Sequence, residues 1–275
     1  MSRFTRTFDR LKSEGRTGLV TYVTAGDPSL ARTRELLPAL ARAGADVLEI
    51  GVPFSEPLAD GPVIQRATER ALKAGATLEK VLAVVEDVRP SIDVPLVLFT
   101  YVNPVARMGF ERFAARAARA GIDGVLTLDL PIEEADEFRG LLDKAGLDTI
   151  FLLSPTTTPE RMARAAALGR GFLYGISRLG VTGARDEVAA SASELATRMR
   201  GVTNLPLALG FGVSKPEHVQ DIGRIADAAV VGSALVQVIA DAGDSPSLVP
   251  DVEAYVRWLG GRSVAPAPHA VGGRT

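Results

Sequence analysis

The chain has 275 residues, of which 47% are apolar, so it can build a substantial core and is not a disordered protein. A formal net charge of −2 argues against a basic surface for nucleic acid, and the absence of cysteine excludes disulfides, thiolate metal sites and a catalytic thiol. No apolar stretch approaches the ~20 residues that span a membrane. We therefore expect a cytoplasmic protein with neither membrane nor nucleic acid among its partners.

The first residues predict a short amphipathic helix. Phe4, Phe8 and Leu11 fall on one helical face, and the segment MSRFTRTFDRLKSEGR lacks the apolar run of a signal peptide. We expect this helix to pack its apolar face on the body of the protein.

Short apolar segments then alternate with longer amphipathic ones. Most of the apolar segments are apolar on both alternating faces, as strands buried on both sides of a parallel sheet must be. The predicted strands are 18–25, 45–52, 94–101, 122–130, 147–154, 171–177, 205–212 and 226–233. The predicted helices are 28–43, 62–74, 77–89, 110–120, 132–145, 159–168, 187–200, 216–223 and 233–241. Pro28, Pro159 and Pro216 are placed as first-turn prolines, and ARAGAD, ARAGID and DKAGLD each put a glycine between a helix and the next strand.

This series of strand–helix units predicts an α/β fold, a closed (β/α)8 or TIM barrel with an extra N-terminal helix and further extra helices. One of these is a final helix at about 249–259. An open doubly wound sheet is the competing arrangement. We expect one barrel domain over residues 1–260 and a flexible tail over 261–275, because the tail is rich in Gly, Pro and Ala without periodicity.

The segment LEIGVPFSEPLADGP, residues 48–62, carries three carboxylates among apolar residues, prolines and glycines. Glu49 lies within a predicted buried strand, where desolvation would raise its pKa toward the range useful for proton transfer. The alternative is a strand-end carboxylate bonded to loop amides. Asp60, in LADGP, is by itself more typical of turn structure than of catalysis. Glu56 is expected to face solvent.

Two glycine-rich turns near the end of the chain predict a phosphate site. LALGFGVSKPEHV and VVGSAL each run from a strand through glycine into a helix start, where free amides and the helix dipole favour an anion. Phosphate sites in barrels frequently form at the loops after strands seven and eight. The alternative is two tight turns without a ligand. A third segment, SRLGVTGARDE at 177–187, is either a mobile lid or a crossover without function.

The positions of lysine and histidine argue against other barrel chemistries. All five lysines fall in predicted helices or at their starts, so none is placed to form a Schiff base with a substrate or with pyridoxal phosphate. His218, in a predicted helix, and His269, in the tail, cannot assemble a His-rich metal site. Of the barrel chemistries considered, acid–base catalysis by carboxylates on a phosphorylated ligand is the one that the sequence favours.

Taken together, LEIGVPFSEPLADGPVIQ, GISRLGVTGAR, LGFGVS and VVGSALV resemble the alpha subunit of tryptophan synthase, collinearly from about residue 8 to 260. The resemblance implies a carbon–carbon lyase of tryptophan biosynthesis, which cleaves indole-3-glycerol phosphate to indole and D-glyceraldehyde 3-phosphate by a retro-aldol reaction. It also implies an α2β2 complex, with pyridoxal phosphate in the beta subunit and no cofactor in this chain.

The resemblance further implies roles for individual residues. Glu49 would protonate C3 of the indole ring and could also take the side-chain hydroxyl proton, while Asp60 would hold or remove the ring N–H proton. The implied substrate-binding residues are Tyr22, Phe99, Tyr101, Leu126, Asp129, Tyr174 and Thr182. The implied phosphate-binding residues are Gly183, Gly210, Phe211, Gly212, Gly232 and Ser233.

Three residues depart from the usual family pattern. Glu56 stands where aspartate is usual, in a loop that faces the beta subunit in this family, so we expect it at the partner interface. Tyr22 stands where phenylalanine is common, and Phe99 where leucine or methionine is frequent.

Two other functions stay open. One is a different phosphate-binding barrel enzyme, an isomerase or synthase acting on a phosphoribosyl or indole precursor, although the lack of a strand lysine disfavours the synthase. The other is a mainly regulatory subunit that activates a beta partner. The glutamate at position 56, where aspartate is usual, is the only sequence feature that suggests it.

Overall fold

The computed structural model describes residues 1–176, 185–210 and 212–265, and within 185–190 the backbone alone. Its strands form one parallel sheet in the order β5-β4-β3-β2-β1-β9-β8-β7-β6. The strands are β1 (Gly18–Thr24), β2 (Val47–Gly51), β3 (Leu96–Thr100), β4 (Gly124–Thr127), β5 (Asp148–Thr149), β6 (Phe151–Leu153), β7 (Leu173–Ile176), β8 (Leu207–Gly210) and β9 (Ala228–Val231).

The sheet closes where β5 meets β6. Only Ile150 separates these two strands, and its amide donates to the carbonyl of Val125 at 2.9 Å. β5 pairs with β4 and β6 pairs with β7, so the two are successive parts of the one strand predicted at 147–154. The (β/α)8 barrel prediction is confirmed, and the open doubly wound alternative is wrong.

Helices surround the barrel and connect its strands. They are α1 (Arg3–Ser13), α2 (Leu30–Ala43), α3 (Pro62–Lys73), α4 (Leu78–Val88), α5 (Val102–Met108), α6 (Phe110–Ala120), α7 (Ala135–Lys144), α8 (Pro159–Leu168), α9 (Arg185–Arg200), α10 (Pro216–Gly223), α11 (Ser233–Ala242) and α12 (Leu248–Leu259). Short 3-10 turns at Arg89–Ser91 and Ile132–Glu134 supplement them. Among the helices described here, none is long and apolar enough to cross a bilayer.

Two helix predictions need correction. Pro28 does not open a helix, because Ser29 is the N-cap of α2 and its hydroxyl accepts from the amide of Arg32 at 3.2 Å. Pro28 precedes that cap and forms a cis peptide bond with Asp27. Pro159 and Pro216, in contrast, are the first residues of their helices, as predicted. The second correction is helix α5, which lies between two predicted elements and is absent from the predicted helices.

Alternate strand residues form two separate cores. The outward-facing residues, such as Leu48, Ile50 and Leu98, pack beneath the helices. The inward-facing residues pack on one another inside the barrel and include Val20, Val47, Val97, Leu126, Ala208 and Val230. Every second side chain of a strand is therefore presented to the barrel interior.

Helix α1 packs its apolar face on the body of the protein, as predicted, and the structure shows that it fills the amino-terminal end of the barrel. Phe4, Phe8 and Leu11 are buried in the inner core, and the rings of Phe4 and Phe8 lie 5.6 and 5.9 Å from the ring of Phe172. Burying each such side chain contributes about 1.5–3 kcal/mol. The carboxyl ends of the strands are thus left as the end where a site can form.

Candidate active site

Glu49 lies in the middle of β2 and its side chain points into the barrel. It is 0% exposed, and its strand neighbours in register are Tyr22 and Val97. Neither carboxylate oxygen has a hydrogen-bond partner within the part of the chain that the structure describes. Burial raises the pKa of Glu49 to about 8. Glu49 is therefore a carboxylic acid at neutral pH, with no described loop amide stabilising its ionised form.

Two tyrosines stand beside this carboxyl group. Tyr22 and Tyr174 are buried, and burial raises the pKa of both, with the charge of Glu49 adding to the effect. Glycines make room for their hydroxyls: a Cβ at Gly51 would lie 2.1 Å from the hydroxyl of Tyr22, and one at Gly210 would lie 2.9 Å from that of Tyr174. A side chain at either glycine would displace a tyrosine from beside Glu49.

Several other side chains of the described interior are apolar. Phe99 meets the ring of Tyr22 edge-on, with 5.2 Å between centroids, and Leu126 lies beside Phe99 in register. Three further side chains pack against the same inner core and are not among the predicted site residues, namely Leu128, Leu152 and Ile176. Strand alternation was the signal that could have found them, since Leu128 is two residues beyond Leu126 and Ile176 two beyond Tyr174.

Asp60 approaches the barrel mouth from the loop between β2 and α3. Its Oδ2 accepts a hydrogen bond from the hydroxyl of Tyr101 at 3.0 Å. Burial raises the pKa of Asp60, and this hydrogen bond partly opposes the rise. The charges of Asp60 and Glu49 both raise the pKa of Tyr22, so the two carboxyl groups both lie near that hydroxyl.

Asp129 has a structural contact that its predicted role did not include. Its Oδ1 accepts from the amide of Val102 at 2.7 Å, at the first residue of α5. Asp129 therefore holds the start of a helix that follows directly after Tyr101, while its side chain stays exposed. A cavity of about 270 Å³ opens beside it, at the carboxyl ends of β4 and β6, between Leu128 and Leu152.

The predicted phosphate residues occupy two strand ends. Gly210 ends β8 and Gly212 has a φ of +68°, a conformation that favours glycine. Gly232 is the N-cap of α11 and Ser233 is its first residue, so the free amides of that helix begin directly after the carboxyl end of β9. Three residues of the predicted site lie outside the described residues, namely Thr182, Gly183 and Phe211.

Comparison with known proteins gives this barrel a family. A family model described as "Tryptophan synthase alpha chain" matches residues 8–257. The tryptophan synthase alpha chain of Solibacter usitatus is 51% identical over 259 residues, which cover 94% of this chain and 97% of that protein. The chain belongs to the tryptophan synthase alpha chain family.

Solved structures of the family have the same fold. The tryptophan synthase subunit alpha from Legionella pneumophila superposes with a TM-score of 0.87 at 37% identity, covering 95% of this chain and 98% of that one. A chain of the tryptophan synthase a2b2 complex from Pyrococcus furiosus superposes with a TM-score of 0.84 at 40% identity, covering 89% and 98%.

The departure from the family pattern at Glu56 lies on the surface. Glu56 is exposed in the loop before α3, and Leu58 beside it is 85% exposed. Within the described residues, no cluster of histidine, aspartate and glutamate could hold a metal ion.

Proposed function

We propose that this member of the alpha chain family is a carbon–carbon lyase that cleaves indole-3-glycerol phosphate to indole and D-glyceraldehyde 3-phosphate. The observation that carries the proposal is the carboxyl group of Glu49, buried and without a described hydrogen-bond partner, with its pKa raised to about 8. Such a group keeps its proton at neutral pH and can deliver it to a ligand seated above it.

The reaction needs a proton on carbon before the carbon–carbon bond can break. Indole is a poor carbanion leaving group, so Glu49 first protonates C3 of the ring and gives a protonated indolenine, a cation that keeps the ring N–H. The electrons of the breaking bond then return to the ring and release indole. The hydroxyl on the departing carbon gives its proton to the Glu49 carboxylate, which forms the aldehyde and restores the acid.

Asp60 acts at the other edge of the ring in this proposal. Protonation at C3 leaves positive charge at the ring N–H, and a carboxylate that accepts a hydrogen bond from that N–H stabilises it. The position of Asp60 near the same tyrosine as Glu49, Tyr22, supports this role.

Other residues would hold the two ends of the substrate. The proposed contacts to the indole and glycerol parts are Tyr22, Phe99, Tyr101, Leu126, Asp129, Tyr174 and Thr182. The proposed contacts to the phosphate are Gly183, Gly210, Phe211, Gly212, Gly232 and Ser233. The start of α11 supports the phosphate site, because a 10-residue helix offers free amides and a favourable dipole there.

We also propose that the chain works with a beta subunit in an α2β2 complex, to which it passes indole. The Pyrococcus furiosus relative is described as an a2b2 complex, and the exposed loop at Glu56 and Leu58 offers a contact surface. In this assembly pyridoxal phosphate would belong to the beta subunit and no cofactor to this chain. The proposal further includes a cytoplasmic location, a single domain over 1–260 and a tail over 261–275.

A substrate panel tests the proposed reaction. The purified chain is incubated with indole-3-glycerol phosphate and, separately, with a phosphoribosylanthranilate, and indole is measured with and without a beta subunit. We expect indole from the first substrate alone and faster release when the beta subunit is present. Turnover of the phosphoribosyl substrate with no indole from the other would contradict the lyase, and an unchanged rate with the beta subunit would contradict the partnership.

A further inference from the structure

Tyr101 makes two hydrogen bonds to consecutive residues of the neighbouring loop. It follows β3, and its hydroxyl donates to Oδ2 of Asp60 at 3.0 Å and accepts from the amide of Ala59 at 3.1 Å. The side chain is only 5% exposed, and its ring lies 5.2 Å from that of Phe54. One rigid, buried side chain therefore holds both the carboxylate and the main chain at the tip of this loop.

A second side chain holds the same loop without touching the carboxylate. Nε2 of Gln65, on α3, donates to the carbonyl of Asp60 at 2.9 Å and to that of Pro57 at 3.4 Å. Gln65 bonds only the main chain of this loop, whereas Tyr101 bonds the Asp60 carboxylate as well as the main chain at Ala59. A substitution of Gln65 therefore disturbs the main chain without removing a partner of the carboxylate.

We propose that Tyr101 is a positioning residue, whose hydroxyl aims the Asp60 carboxylate into the barrel mouth and favours its ionised form. The inference rests on the proposed function for the identity of the substrate, but the hydrogen-bond arrangement itself does not. A neutral hydroxyl that donates to a carboxylate stabilises the charged form, while burial of Asp60 works in the opposite direction. Without the hydroxyl, Asp60 would hold its proton to higher pH and accept the ring N–H less well.

A direct titration of Asp60 tests this inference without any turnover. The protein is labelled with ¹³C at aspartate carboxyl carbons, the Asp60 signal is assigned with Asp60→Asn, and its pKa is read by NMR in wild type and Tyr101→Phe. The phenylalanine keeps the ring against Phe54 and removes only the hydroxyl. We expect the pKa of Asp60 to rise by about one unit, a tenfold shift in its ionisation equilibrium. An unchanged pKa would overturn the proposal.

Matched variants separate positioning from simple support of the loop. Gln65→Ala removes the main-chain contact to Asp60, and Phe54→Leu removes the ring contact to Tyr101, while both keep the Tyr101 hydroxyl. We expect the Asp60 pKa to stay within a few tenths of a unit of wild type in both. Equal shifts in all three variants would show that Tyr101 merely supports the loop, which would also overturn the proposal.

Two further measurements cover the remaining cases. If Tyr101→Phe does not fold, 3-fluorotyrosine at position 101 strengthens the donor and should lower the Asp60 pKa; a rise or no change would count against the proposal. In kinetics, the acid limb of the pH profile of kcat/KM for indole formation should move to higher pH in Tyr101→Phe. The shift in pH units should equal the rise in the Asp60 pKa measured by NMR. A wild-type protein that forms no indole would contradict the proposed function, while the titration would still decide the role of Tyr101.

Discussion

At Glu49 the barrel holds a carboxyl group where water cannot stabilise its charge and where no described neighbour accepts or donates a hydrogen bond. Ionising it inside the folded protein is therefore costly, and its pKa rises to about 8. The flanking hydroxyls of Tyr22 and Tyr174 stay protonated for the same reason, because burial raises their pKa values too. The functional property of this residue thus follows from desolvation.

The raised pKa makes the stability of the protein depend on pH. In the unfolded chain Glu49 ionises near pH 4.5, whereas in the folded protein it keeps its proton up to about pH 8. Between these values the folded state binds one more proton than the unfolded state, so this residue lowers the free energy of unfolding as pH rises, by as much as roughly 1.4 kcal/mol per pH unit.

Glu49→Gln removes that dependence and keeps the shape of the side chain. We expect urea unfolding to show the glutamine variant gaining stability over wild type with each step from pH 5 to pH 8, and little further change above pH 8. A stability difference that is constant across this range would mean that Glu49 is not protonated in the folded state.

At the scale of the elements, three aspartates repeat one arrangement at the amino-terminal end of the barrel. Asp46, Asp123 and Asp227 each precede a strand and accept from a backbone amide of an adjacent strand, at 3.0, 2.8 and 2.7 Å. Each is also paired with arginine, and the partners include Arg16, Arg89 and Arg200. These carboxylates join neighbouring strands at the end of the barrel remote from Glu49 and Asp60.

Asp46 is the most heavily bonded of the three, which predicts a large effect of its removal. Its carboxylate is 4% exposed and accepts from Arg10, from Arg16 twice and from the amide of Leu19. Asp46→Ala leaves a buried amide and two guanidinium groups without this partner, so we expect a loss of about 3–5 kcal/mol in the free energy of unfolding by urea.

Asp87→Ala is the matched control for this prediction. Asp87 also pairs with an arginine, Arg34, but this pair lies on the surface: the side chain of Asp87 is 57% exposed and that of Arg34 is 50% exposed. We expect about 0–1 kcal/mol from its removal. Equal losses in the two variants would contradict the idea that the buried carboxylate ties strands together.

Across the whole molecule the two ends of the barrel have different tasks. The amino-terminal end holds the buried rings of Phe4 and Phe8 and the aspartate–arginine pairs. The carboxyl end holds Glu49, Asp60 and the glycine turns. Substitutions at the first end should change stability with little effect on kcat per folded molecule, which matches the general behaviour of such barrels.

Much of this arrangement could be predicted from the sequence, for a physical reason. Apolar alternation and helix spacing are local signals, so they predict the strands, the apolar face of α1 and the place of Glu49 in a buried strand. The contact of Tyr101 with Asp60 joins residues 41 positions apart, and no local pattern encodes it. The aspartate of ARAGAD was overlooked for the same reason, since its partner Leu19 lies 27 residues away. Pro28 was misplaced because a serine cap competed with it locally.

In the proposed reaction, Glu49 supplies the proton that permits carbon–carbon cleavage. The most direct test measures indole released from indole-3-glycerol phosphate by wild type, by Glu49→Gln and by Glu137→Gln, the same change at an exposed position of α7. We predict that Glu49→Gln lowers kcat by about 10²–10⁴-fold while a phosphorylated substrate analogue still binds, and that Glu137→Gln equals wild type. Retention of most of the activity in Glu49→Gln, with folding and analogue binding intact, would show that Glu49 is not the proton donor.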